Sequence, residues 1–101
     1  MARIGTFKIE SSFKLTGRGL VALGQIIEGV VKTGAHTNFE TGNGRVNMQI
    51  SGVEMADIDR EKGEHAVGLT FVYKDETQRK EFETLKLKEQ LIEIFDEPRS
   101  N

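Results

Sequence analysis

In residues 7–15, Phe7, Ile9, Phe13 and Leu15 alternate with Lys8, Glu10, Ser12 and Lys14. A period of two marks a β-strand with one wet face. Thr16-Gly17-Arg18-Gly19 follows at once, supplying residues that take positive φ in a tight turn, and residues 20–28 return as a second strand that ends at Gly29. The chain therefore starts as a β-hairpin.

The same glycine punctuation recurs downstream. Val30, Val31 and Lys32 lead to Gly34, a third strand is expected near 35–40, and Thr41-Gly42-Asn43-Gly44 is a strong turn signal. Val46, Met48 and Ile50 then alternate with Asn47, Gln49 and Ser51. Residues 56–63 are mostly charged and close on Gly63, which reads as a loop. Val67, Leu69, Phe71 and Tyr73 resume the strand pattern.

The last quarter changes character. Asp75-Glu76-Thr77-Gln78 has the form of an N-cap with Gln at the third helical position, which predicts a short helix near 75–84 with Phe82 as its anchor. Leu91, Ile92, Ile94 and Phe95 form a compact apolar run before Asp96-Glu97-Pro98 and read as a buried strand. A longer helix over 76–95 is the competing reading, because Glu, Lys, Leu and Gln all favour helix. Six to seven short strands separated by turn residues indicate an all-β protein, and for a single domain over residues 1–101 a small closed antiparallel β-barrel is favoured, since closure removes edge strands.

Charge and composition narrow the function. The net charge of −2 provides no global field toward nucleic acid, but residues 1–50 carry six basic side chains against three acidic, and the remainder eight against thirteen. An RNA-facing surface should come from the first half. There is no cysteine, hence no thiolate nucleophile, thiolate metal site or disulfide. His36 and His65 are the only imidazoles, and neither has metal-ligand spacing. The acidic run of Glu54, Asp57, Asp59, Glu61 and Glu64 lacks the ligand order of a calcium loop and reads as solvated. Neither a catalytic constellation nor a phosphate-binding loop is present, so no enzyme, metal, cofactor or GTP-binding role is expected. The chain starts without a signal or transit pattern, so a cytoplasmic, non-membrane protein is expected.

One resemblance covers most of the chain. Phe13 to Val21, then Gly24, Glu28-Gly29-Val30-Val31-Lys32-Thr33-Gly34, Ile50-Ser51-Gly52-Val53-Glu54-Met55 and Gly63 through Val67-Gly68-Leu69 resemble the β-barrel second domain of elongation factor Tu and related translational GTPases. The resemblance implies a non-catalytic barrel, here standing alone, that contacts RNA: the 3′ terminal adenosine of tRNA, or ribosomal RNA. Glu10, Leu15, Gly17, Val21 and Glu54 match positions of the family's nucleotide pocket. Arg18, Lys14, Lys32 and Arg45 are the candidate phosphate contacts from the basic half. The chain departs from the family where Ala56-Asp57-Ile58-Asp59 follows Met55 in place of a basic residue, and where Thr70 replaces an apolar pocket residue. The alternative is a protein-binding or self-associating barrel with no nucleic-acid role.

Overall fold

A computed structural model describes residues 3–59 and 64–97. The described residues form six strands, β1 (Arg3–Leu15), β2 (Gly19–Gly29), β3 (His36–Glu40), β4 (Arg45–Asp59), β5 (Glu64–Val72) and β6 (Gln90–Phe95), and one helix, α1 (Glu76–Phe82). The strands close into an antiparallel barrel in the order β1-β2-β5-β4-β3-β6. Phe7, Ile9, Leu20, Phe39, Ile50, Leu69, Ile92 and Ile94 are fully buried inside it. Each such side chain contributes about 1.5–3 kcal/mol by leaving water. The Phe39 ring lies 5.1 Å from Phe71 and 6.3 Å from Phe82, so α1 anchors itself in the barrel core through its last residue. That helix starts as expected, with the Asp75 carboxylate accepting from the Gln78 N–H at 2.8 Å. No helix among the described residues is long and apolar enough to cross a membrane.

Bulges account for the departures from simple alternation. Ile9 pairs with Gly24 and Ser11 with Leu23, so Glu10 is an extra residue in the β1 ladder. An extra residue reverses which side chains face inward. Phe7 and Ile9 are therefore buried, but Phe13, expected in the core, is 45% exposed on the outer face. β4 carries a second irregularity, with Ile50 opposite Phe71 and Gly52 opposite Thr70, leaving Ser51 unopposed.

One other expectation is corrected, and the competing reading of the last quarter is set aside. Residues 56–59, read as the start of a charged loop, continue β4: Ala56 pairs with Ala66, Asp57 with His65 and Asp59 with Glu64. A ladder is made by backbone groups, so charged side chains do not prevent it. Residues 60–63, the rest of that loop, lie outside the described residues. The long helix over 76–95 does not form. Leu85 N–H bonds to the Phe82 carbonyl at 3.1 Å, closing the helix end, and Leu87 N–H is taken by the Ser12 hydroxyl at 2.8 Å. From Gln90 the period is two, with Ile92 and Ile94 buried and Leu91 exposed.

Side chains complete the seam between β3 and β6. Backbone pairing there is limited to His36 with Phe95 and Thr37 with Ile94. The buried Thr37 hydroxyl then donates to the Glu93 carbonyl at 2.7 Å. Gln90 imitates a strand, its amide oxygen accepting from Glu40 N–H at 2.9 Å and its NH2 donating to the Glu40 carbonyl at 3.0 Å. Thr37→Val and Gln90→Ala should each lower stability by about 1–2 kcal/mol, read as a shift of the urea midpoint at unchanged slope.

Candidate functional site

The bulge at Glu10 aims Phe13 and Leu15 outward, and they become one wall of a cleft of ≈ 590 Å³ on the outside of the barrel. The cleft crosses β1, β2, β5 and β4, which are neighbours in the barrel order. Val21, the cross-strand partner of Phe13, and Leu23 continue the apolar wall. Gly68 forms the floor: a Cβ there would stand 3.2 Å from Val21 Cγ1 and 3.7 Å from Leu23 Cδ2. The concavity exists because this β5 position has no side chain. Opposite lie Glu54, the ladder partner of Gly68, and Met55. The Ser51 hydroxyl donates to Thr70 Oγ1 at 2.9 Å and adds two polar atoms to the lining.

The remaining end is formed by Arg18, Tyr73 and Arg79. Hydrogen bonds fasten the β1–β2 hairpin tip to it. Leu20 N–H donates to the Tyr73 hydroxyl at 3.0 Å, and Gly19 N–H donates to Glu83 Oε2 at 3.2 Å. Gly19 has φ +94°, and a Cβ on it would lie 2.3 Å from the Tyr73 oxygen, so the ring and the turn fit only with glycine at this position. The charge of Arg79 is compensated, through Nη1 by Glu83 and through Nη2 by Glu76 at 3.1 Å. Arg18 and Glu54 have no ion pair among the described residues, so the cleft presents one free cation and one free carboxylate.

Burial pushes the Tyr73 hydroxyl above its ordinary pKa of 10.0; the Leu20 N–H bond lowers it, and the nearby Glu83 charge adds to the rise. The folded chain thus holds the phenol proton longer than the unfolded chain does. Stability tied to this group is full below about pH 10 and is lost as pH climbs through the folded-state pKa. Because Tyr73 is the only tyrosine and tryptophan is absent, the absorbance of tyrosinate reports this one site. Alkaline titration of the native protein should give a midpoint above that of the urea-unfolded chain.

Four of the nine residues singled out from sequence meet in the cleft: Leu15, Val21, Glu54 and Arg18. Gly17 shapes the hairpin tip with φ +81° without lining the cleft. Glu10 is the exposed bulge residue, and its role is to turn its neighbours. The basic residues do not gather. Lys14 is exposed on β1 outside the lining, Lys32 lies in the β2–β3 connection, and Arg45 begins β4 with its guanidinium on Asn38 Oδ1 at 2.6 Å. Arg45 is roughly 30 Å along the strand from Glu54 at ~3.3 Å per residue. Sequence reasoning missed Phe13, Leu23, Ser51, Met55, Gly68, Tyr73 and Arg79. A glycine inside a strand, as at Gly68, was the one available sign of a close approach or open face. Among the described residues no three His, Asp or Glu side chains converge as a metal site would require. The side chains of His65, Asp57, Asp59, Glu61 and Glu64 fall outside the described residues.

An apolar wall, two aromatic rings, paired hydroxyls, a carboxylate and a cation suit a flat ligand with polar edges and one negative charge. No protein-family model matches the chain, and no curated protein or solved structure is significantly similar to it.

Proposed function

We propose that the chain is a non-catalytic, translation-factor-like barrel that binds the end of a single-stranded RNA, seating its terminal nucleotide in the outer cleft. One observation carries the reading: Leu15, Val21 and Glu54, the positions that resemble a family nucleotide pocket, lie on three different strands and line one cleft with Arg18. Phe13 and Tyr73 offer faces for a base, Glu54 an acceptor for a ribose hydroxyl or an exocyclic amine, and Arg18 a donor for a phosphate. The volume of ≈ 590 Å³ falls within the ~300–1,000 Å³ of small-ligand sites, enough for one nucleotide and short of a helix.

With one uncompensated arginine at the cleft and the other basic residues dispersed, binding should depend only gently on salt. Titrating a short labelled RNA ending in adenosine at two salt concentrations tests this. The expected slope of log K against log salt is about −0.7 to −1.5, the contribution of one or two phosphate contacts to a single strand. Arg18→Ala should weaken binding to every sequence alike and take about 0.7 off that slope. Absence of binding at low salt, or a steep slope that survives Arg18→Ala, contradicts the proposal.

A further inference from the structure

One carboxylate joins two elements at the basic end of the cleft. Glu83 is the C-cap of α1, and its side chain is only 15% exposed. Its Oε2 accepts from Gly19 N–H at 3.2 Å and pairs with Arg79 Nη1. Arg79 lines the cleft, and its Nη2 is held by Glu76 Oε1 at 3.1 Å. The same oxygen thus fastens the hairpin tip that carries Arg18 and neutralises the second cation of the cleft. A guanidinium with a carboxylate on each of its two terminal nitrogens has little net charge to offer a third anion. The charged groups that line or brace the cleft are therefore two arginines against three carboxylates, Glu54, Glu76 and Glu83.

We infer that Glu83 is a positioning residue that sets which RNA end the cleft takes: by masking Arg79 it admits a terminal nucleotide with a free 3′-hydroxyl and rejects one with a 3′-phosphate. The inference rests on the nucleotide reading of the cleft. A hydroxyl-ended terminal nucleotide brings one phosphodiester charge, which Arg18 meets, and a hydroxyl that the unpaired Glu54 carboxylate accepts. A 3′-phosphate replaces that donor with about 1.5–2 further negative charges. In a cleft of ≈ 590 Å³, filled by one nucleotide, those charges find Glu54 and Glu83 and no free cation beyond Arg18 among the described lining residues. Like charges held together in a site out of bulk water oppose binding strongly. Arg79 is the side chain that could answer them, and Glu83 holds it occupied.

Titrating the whole chain with one short labelled RNA in two forms, ending in a 3′-hydroxyl or in a 3′-phosphate, tests the inference. The parent should bind the phosphate-ended form at least about tenfold more weakly. In Glu83→Gln the side-chain amide oxygen still accepts from Gly19 N–H while the charge of Arg79 is released. The phosphate-ended form should then gain, bringing the ratio below about threefold, and the slope of log K against log salt should steepen by about 0.7. A merely structural loss would weaken both forms alike. Glu76→Gln, at a side chain 72% exposed, should move the ratio in the same direction by less, and it serves if circular dichroism shows Glu83→Gln unfolded. Equal binding of the two forms by the parent, or a ratio unmoved in every folded variant, overturns the inference and leaves the nucleotide reading standing. Binding of neither form by the parent overturns that reading and this inference with it.

Discussion

Gly24→Ala is expected to unfold the barrel. A Cβ on Gly24 would stand 1.7 Å from the Lys8 carbonyl oxygen, 2.8 Å from the carbon of that carbonyl and 3.1 Å from Phe7 Cε1. The first two are main-chain atoms, so no rotamer change relieves the clash. Gly24 pairs with Ile9, immediately before the extra residue Glu10, and on its other side with Val67 of β5. Moving β1 away from β2 breaks ladder hydrogen bonds worth about 1 kcal/mol each and opens the packing of Phe7 and Ile9, each contributing about 1.5–3 kcal/mol. Together these losses approach the ~5–15 kcal/mol by which a domain of this size is stable. Far-UV circular dichroism and urea titration should show loss of the cooperative transition. Gly17→Ala is the control. Its φ is +81°, yet nothing lies within 4 Å of an added Cβ, so it should cost about 1–2 kcal/mol and leave a folded barrel.

The second large effect is on binding. Gly68→Val places a side chain on the cleft floor beside Val21 and Leu23, from the outer face of β5 and away from the core residues Leu69 and Phe71. The Cβ contact of 3.2 Å with Val21 Cγ1 is to a side-chain methyl and not to the main chain, and a shift of a few tenths of an ångström accommodates it. The barrel should therefore remain folded while a nucleotide loses its seat. RNA affinity should drop at least tenfold, about 1.4 kcal/mol, with Gly68→Ala intermediate. Fluorescence of Tyr73, the only tyrosine in a chain without tryptophan, reads the same event: quenching by RNA is expected in the parent and lost in Gly68→Val.

Much of this architecture was legible in the chain because turns and strand periods are local. Gly17, Gly19, Gly29, Gly34, Gly42 and Gly44 all take positive φ, and they mark the hairpin ends read from sequence. The run at 91–95 proved a strand because Ile92 and Ile94 share a face that Leu91 does not. Bulges were not legible. Glu10 and Ser51 look like ordinary strand residues, and the extra residue is defined only by the partner strand opposite. For that reason Phe13 was expected in the core and the cleft wall it builds went unseen.

The candidate site was legible only where a resemblance supplied the pairing. Leu15, Val21 and Glu54 were named together on that basis, but their neighbours Leu23, Gly68 and Tyr73 come from β2, β5 and the segment after β5, and nothing local connects them. Charge along the sequence does not define the cleft either. Lys14, Lys32 and Arg45 belong to the basic half of the sequence, but strand order sends them to different places on the barrel. Only Arg18, carried by the hairpin tip that Tyr73 and Glu83 hold, reaches the cleft.

Amide chemical-shift mapping with a short single-stranded RNA ending in adenosine, at low salt, tests the central claim most directly. The account predicts saturable shifts confined to the cleft residues, Phe13, Leu15, Arg18, Val21, Glu54, Gly68 and Tyr73 among them, with Lys32 and Arg45 unmoved, and loss of those shifts in Gly68→Val. Shifts centred on Lys32 or Arg45, or an unchanged response in Gly68→Val, would contradict it.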